Sequence, residues 1–294
     1  MIASALIRLL VKEGVRVHAV CRPGSAKLKN IPSSELVTVH QLDISEMGKL
    51  PSEIDRADAF FHFAWAGTGG TARNDAFLQD RNITFTLEAC RAAADCGCSV
   101  FLGAGSQAEY GRVTGDLKSD TPVFPENGYG MAKLAAGQLS RLLANNLGLR
   151  HEWLRILSVY GPGDNDFTIT SSSLKLFLSG KHAPFTPGEQ LWDFLYCDDA
   201  ARAFYLAAGK GRDGAVYPLG SGAARPLKEY IGLMCEACGA TDRPGFGELP
   251  YNENQVMRLC ADISGLREDC GFEPLVPYEE GIKRTVAYMK AGVL

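Results

Sequence analysis

Tyr129-Gly-Met-Ala-Lys133 sets a phenol and an ammonium four residues apart. On a helix, positions i and i+4 share one face, so both heads reach one small volume. A cation close to a phenol favours the phenolate, which lowers the tyrosine pKa. The pair therefore predicts a general base that works near neutral pH. Any tyrosine and lysine can fall at this spacing, so the pair has weight only with the elements that would hold it.

Those elements follow a pattern. Residues 3–13 are apolar on a helical period and stop at Gly14, a residue suited to a helix C-terminus. Residues 15–20 alternate as a strand does and end at Cys21-Arg22-Pro23-Gly24. Residues 36–39 form a second strand leading to Asp43. Residues 59–64 form a third, which runs into Ala66-Gly67-Thr68-Gly69-Gly70. A long helix is expected over 75–96. A fourth strand over 99–102 precedes Gly103-Ala-Gly-Ser106. The helix bearing Tyr129 and Lys133 runs to about Asn146, and 152–157 read as a fifth strand. This alternation predicts an α/β fold, a parallel sheet with helices on both faces. After Tyr160-Gly-Pro-Gly163 the texture changes to shorter helices with more Pro and Gly. Further helices are expected from Asp198-Asp199, over 227–238 and over 279–291.

Composition narrows the function classes. The 294 residues are 46% hydrophobic and 22% charged, ordinary for a soluble globular chain. A net charge of −4 argues against nucleic acid as a partner. No apolar run approaches the ~18–20 residues of a membrane span. Arg8 and Lys12 interrupt the apolar opening, which does not read as a secretory signal. The nine cysteines suit free thiols in a reducing cytoplasm. Cys235-Glu-Ala-Cys238 lacks a second pair at zinc-site distance, and the five histidines have no metal-ligand spacing, so no metal is expected.

Several motifs coincide in order. They are Asp43, His62-Phe-Ala64, Asn82 within Arg81-Asn-Ile-Thr84, and Ser106 four residues before Tyr110-Gly111. Tyr129 with Lys133, Arg155 with Val159-Tyr-Gly-Pro-Gly163, Trp192-Asp-Phe194 with Asp199, and Ala261-Asp262 follow. Together they resemble the NAD-dependent epimerase/dehydratase family, the extended short-chain dehydrogenase/reductases, over essentially the whole chain. The resemblance implies a Rossmann-like doubly wound parallel sheet, with a dinucleotide-binding domain over 1–163. A smaller mixed substrate-binding lobe over 164–294 is expected to return some segments to the sheet.

In that family a first strand and a Gly-x-x-Gly-x-x-Gly/Ala turn precede the first helix. Ala3 fits the last small residue of the turn, so the strand and the first two glycines are expected to lie before Met1, the start being an internal methionine or a clipped gene. That turn brings backbone N–H groups to the cofactor pyrophosphate. The chain as it stands is therefore expected to bind dinucleotide weakly.

The resemblance also implies roles. Tyr129 is the catalytic acid/base, Lys133 holds the nicotinamide ribose and lowers the Tyr129 pKa, and Ser106 bonds the reacting oxygen. Asp43 resembles the residue that binds the adenine amine, although it equally suits an N-cap. Arg22, where NAD users carry an acid, pairs with a 2′-phosphate or is a solvated loop arginine, which tilts the cofactor toward NADP over NAD. Ala64 lies along the cofactor. Asn82 either ties backbone near the site or faces solvent.

Two departures bear on the substrate. Family dehydratases carry Asp-Glu directly after the Ser/Thr; here Gln107-Ala108 follow, and Glu109 comes one position late, pointing elsewhere on an extended segment. Trp192 replaces an arginine that grips diphosphate; its indole can stack on a base or sugar, with Arg258 or Arg225 as substitutes for the lost charge. The expected function is an NAD(P)-dependent epimerase or 4-ketoreductase on a nucleotide-linked sugar, with a homodimer as the family's habit. A non-catalytic dinucleotide-binding protein or truncated pseudoenzyme is the alternative.

Overall fold

The structure is a computed structural model and describes residues 1–241 and 244–292. Along the chain run α1 (Ile2–Lys12), β1 (Val17–Cys21), β2 (Val37–Gln41), β3 (Ala59–His62), α2 (Ala76–Asp95), β4 (Val100–Ser106), α3 (Gly128–Asn146) and β5 (Arg150–Ile156). Then follow β6 (Ser158–Tyr160), α4 (Ile169–Leu178), β7 (Pro184–Phe185), β8 (Leu191–Trp192), β9 (Phe194–Tyr196), α5 (Cys197–Lys210) and β10 (Ala215–Leu219). The last elements are β11 (Arg225–Pro226), α6 (Leu227–Cys238), β12 (Gly245–Phe246), β13 (Arg258–Leu259), α7 (Ser264–Cys270) and α8 (Tyr278–Lys290).

Strands β10-β5-β4-β3 form a parallel sheet in that order, and β1 pairs in parallel with β2 as a separate two-stranded set. Every β4 residue is buried, so Gly103-Ala-Gly-Ser106, expected to follow the strand, belongs to it. Alternate side chains of β4 enter opposite layers. Val100, Leu102 and Ala104 join Leu6, Leu10, Leu154 and Phe204 in the larger core, where α1 packs on α5. Phe101 joins Leu50, Ala89, Ala93 and Leu149 in the second core, on the side where α2 packs on α3. Helices thus cover both faces, as the alternation predicts.

Beyond β6 the short strands make small pairings: β6 with β9, β7 with β12, and β8 between β11 and β13. Two buried carboxylates knot this part together. Asp193 accepts from Ser221 N–H and Oγ–H at 2.6 Å each, and from the N–H groups of Gly222 and Ala261. Asp199 accepts from the N–H groups of Leu275 and Val276. Both belong to motifs that stand out in the sequence, and both act on backbone. Among the described residues no helix is long and apolar enough to cross a membrane, and no cluster of His, Cys, Asp or Glu is arranged to hold a metal. Cys21, Cys90, Cys96, Cys98, Cys197, Cys238, Cys260 and Cys270 are free thiols.

Three buried groups set how stability should depend on pH. Burial, then Lys133, lowers the His62 pKa to about 3, and burial lowers that of His151 to about 4. Unfolded histidine binds its proton near pH 6.5. Their contribution is therefore complete above about pH 6.5 and is lost as pH falls through that window. Glu152 acts oppositely: burial raises its pKa to about 8 despite Arg150, so its contribution grows as pH falls from about 8 to 4.5. The histidines and Glu152 act oppositely between about pH 6.5 and 4.5, each fully shifted group by ~1.4 kcal/mol per pH unit, and His18, whose pKa burial also lowers, adds to the histidine side. Urea midpoints should fall on acidification, and His151→Asn should make that slope shallower.

Candidate active site

The site lies where β4 ends and α3 begins. α3 starts at Gly128 because Asn127 caps it, its side chain accepting from Gly130 N–H at 2.8 Å. Asn74, from the turn at Gly70–Asn74, accepts from Gly128 N–H at 3.1 Å. Gly130 faces the Ala108 carbonyl so closely that any Cβ would collide with it. Tyr129 is thereby held over the end of β4, where the Ser106 hydroxyl lies near enough to its phenol to lower the pKa that burial raises.

Lys133, one turn along α3, is 4% exposed. Its Nζ donates to the Ala104 carbonyl at 2.6 Å, stands 3.7 Å from the Trp65 ring centroid and 5.8 Å from that of Tyr129. The structure corrects the expected electrostatics. Burial raises the Tyr129 pKa, opposed by Ser106 and by the Arg73 guanidinium 4.2 Å above the ring. Burial lowers the pKa of Lys133 itself to about 7. The i, i+4 spacing brings both heads to one region, but the ammonium is turned to a carbonyl and an indole.

Around this centre the other expected residues take their places. Asn82 is fully buried: its Oδ1 accepts from Ala66 N–H and its Nδ2 donates to Ala66 O, each at 2.9 Å. It therefore ties the loop after β3 and does not face solvent. Ala64, in that loop, is exposed. Asp43 caps the 3-10 helix Ile44–Ser52 in a capping box with Glu46, and Arg22 at the end of β1 lies near enough to lower its pKa further. Ala3 sits in the first turn of α1. The first N–H groups of α1 lack intrahelical acceptors, and no side chain caps them. Arg22 follows β1, Asp43 lies just past β2, Ala64 just past β3 and Ser106 ends β4, each at the C-terminal end of its strand.

Trp192, Arg225 and Arg258 meet in one three-stranded sheet, with Arg225 opposite Trp192 and Arg258 opposite Leu191. Trp192 Nε1 donates to Ser158 Oγ at 2.8 Å. Arg258 is paired with Asp116 and Arg225 with Glu279, both half exposed. Such exposed pairs hold weakly.

Glu109 differs most from its sequence reading. The chain does not stay extended after Ser106 but turns through the 3-10 helix Gln107–Glu109. Glu109 folds back and is fully buried. Trp65, in the segment 63–66 expected to run along the cofactor, packs edge-on against Tyr129. Sequence reasoning missed Arg73, which lies over the ring, since the glycine-rich run at 66–70 marks a loop but not which side chain returns to the site.

A parallel α/β sheet with Ser106, Tyr129 and Lys133 at a strand end has the features of an extended short-chain dehydrogenase/reductase. The model of the NAD dependent epimerase/dehydratase family matches residues 1–220, and the chain belongs to that family. It is 29% identical over 302 residues to UDP-glucuronate 4-epimerase of Thermodesulfobacterium geofontis, covering 97% of this chain and 91% of that one. It is 27% identical over 212 residues to dTDP-glucose 4,6-dehydratase of Streptomyces griseus, covering 70% of this chain and 63% of that one. The structure of UDP-glucose 4-epimerase from Thermotoga maritima with UDP-glucose superposes with a TM-score of 0.88 at 25% identity, covering 100% of this chain and 97% of that one. UDP-glucuronic acid 4-epimerase from Bacillus cereus, solved with NAD, shares the fold with a TM-score of 0.85 at 23% identity, covering 100% and 96%.

Proposed function

We propose that the chain is an NAD(P)-dependent epimerase or 4-ketoreductase acting on a nucleotide-linked sugar. The carrying observation is the convergence of the Tyr129 phenol, the Ser106 hydroxyl and Lys133 at the end of β4. The bound dinucleotide would accept or return a hydride. Tyr129 takes or gives the proton of the sugar hydroxyl, and Ser106 hydrogen-bonds the same oxygen as charge develops. Lys133 holds the cofactor ribose. Arg22 and Asp43 take the adenosine end, and Arg22 tilts the choice to NADP because a guanidinium pairs well with a 2′-phosphate. Ala3 borders the pyrophosphate and Ala64 and Asn82 shape the wall beside the nicotinamide.

On this reading residues 1–163 bind the dinucleotide, and 164–294 mainly bind the sugar nucleotide, through Trp192 and Arg258. A 4,6-dehydratase is disfavoured because Glu109 is buried and bonded, not available as an acid. We place the protein in the cytoplasm as a homodimer through α2 and α3, where Phe77, Met131, Leu139 and Leu142 are exposed. The non-catalytic alternative draws on one observation, the Trp65 indole against the Lys133 ammonium. The test is incubation with UDP-glucose or UDP-glucuronate and either NAD or NADP, resolving the 4-epimers by chromatography, alongside NADPH oxidation by a 4-keto sugar nucleotide. Turnover in either assay is expected; cofactor binding without turnover in both would favour the non-catalytic alternative.

A further inference from the structure

Beneath the site lies a buried charge pair that the proposed chemistry does not use. Glu109 accepts at Oε1 from Ser106 N–H (2.8 Å) and Trp153 Nε1–H (2.9 Å), and at Oε2 from Arg155 Nε–H (2.7 Å). Side-chain exposure is 1% for Glu109 and 5% for Arg155. The arrangement is built from several elements. Trp153 fits only because Gly103, Gly105 and Gly137 present no Cβ to its ring; one added at any of them would collide with the indole. The Gly-x-Gly of β4 thus seats Trp153, which in turn aims its N–H at Glu109.

Lys133 is also buried, yet its direct hydrogen bond goes to a neutral carbonyl. Among the described residues no carboxylate forms an ion pair with it. The groups facing it are His62 from β3, the Trp65 ring, the Ala104 carbonyl, Tyr129 with Arg73 above, and Glu109 backed by Arg155. Glu109 holds the Ser106 N–H and Lys133 the Ala104 carbonyl, so a buried carboxylate and a buried ammonium grip backbone two residues apart on β4.

We propose that Glu109 is a positioning residue of the site, its carboxylate pinning the Ser106 backbone beneath Tyr129 and serving as the countercharge that keeps Lys133 an ammonium. The inference rests on the catalytic reading of Ser106, Tyr129 and Lys133. Glu109 opposes the fall that burial imposes on the Lys133 pKa. In Glu109→Gln the charge goes, but an oxygen remains for Ser106 N–H. In Glu109→Asp the charge stays, but the reach to Ser106 is lost.

The test is NMR on the full chain with lysine carrying 13C at Cε, the Lys133 signal assigned by its loss in Lys133→Met. Ser106 amide exchange is followed in parallel. Glu109→Gln should lower the Lys133 midpoint by about 1 pH unit or more and leave Ser106 exchange slow. Glu109→Asp should leave the midpoint in place and speed that exchange about tenfold or more. An unmoved or raised midpoint in Glu109→Gln overturns the countercharge role, and unchanged exchange in Glu109→Asp overturns the positioning role. Should Glu109→Gln fail to fold, Glu109→Gln/Arg155→Met relieves the unpaired guanidinium, and its Lys133 midpoint is read against that of Arg155→Met alone, below which it should fall. Neither readout needs turnover. Failure of the catalytic reading would show separately, as full activity in Tyr129→Phe.

Discussion

Tyr129→Phe is expected to lower the turnover rate for sugar epimerisation or keto-sugar reduction by about 100- to 10,000-fold, the usual worth of a positioned acid/base. The substitution removes one oxygen and leaves the ring. Its contacts would survive: the edge-on packing against Trp65 at 5.9 Å and the Arg73 guanidinium over its face. KM and the urea midpoint should therefore change little. The pH profile carries further information. The resting site holds Tyr129 protonated, because burial raises its pKa and Ser106 and Arg73 only partly offset this. Activity should rise with pH on a limb that reports Tyr129 in the bound complex. A Tyr129→Phe protein that keeps more than about a tenth of the parental turnover rate would assign the proton transfer elsewhere.

Arg155→Met should cost ~3–5 kcal/mol of stability, because the cation leaves while Glu109 stays buried. That is a large share of the ~5–15 kcal/mol that holds a typical domain. The guanidinium also lies 4.5 Å from the centroid of the Tyr110 ring, so packing against a fully buried tyrosine is lost with the charge. Glu109→Gln/Arg155→Met should recover most of the loss, since a neutral amide in place of the carboxylate removes the unpaired charge. Urea denaturation of the three proteins reads both effects. A loss below about 1 kcal/mol in Arg155→Met would mean that Glu109 is not held there as an anion.

The two substitutions touch neighbouring parts of one unit. Tyr129 is held over the end of β4 from α3. Arg155 reaches the same spot from β5, through Glu109 and the Ser106 backbone. The first should separate catalysis from folding, whereas the second should change both. Measured together, they distinguish chemistry performed at the end of β4 from the framework that holds it.

Much of the fold is readable along the chain because it depends on local periodicity. The helix of residues 227–238 lies where its pattern puts it, and the parallel strands appear within a few residues of their expected bounds. Gly103-Ala-Gly-Ser106 is misplaced by pattern for a physical reason. Small residues read as a turn when their neighbours are unknown, whereas here they extend a strand whose glycines accommodate an indole from the adjacent strand. The sequence reading of Glu109 assumes an extended segment. A Ser-x-x-Glu spacing is also a capping box, and the one-turn helix that forms reverses the direction of its side chain.

Sequence alone determined the order of strands and helices, the family, and the shared helical face of Tyr129 and Lys133. These follow from spacing, which covalent geometry and helical pitch impose wherever the segment folds. Tertiary structure decided what surrounds each charge. Lys133 meets a carbonyl and Trp65 where a phenol was expected, Tyr129 is governed by burial and by Arg73 from another loop, and Glu109 joins Arg155 across two strands. A pKa depends on solvent exclusion and on charges a few ångströms away, and residues that are neighbours in space can be far apart along the chain.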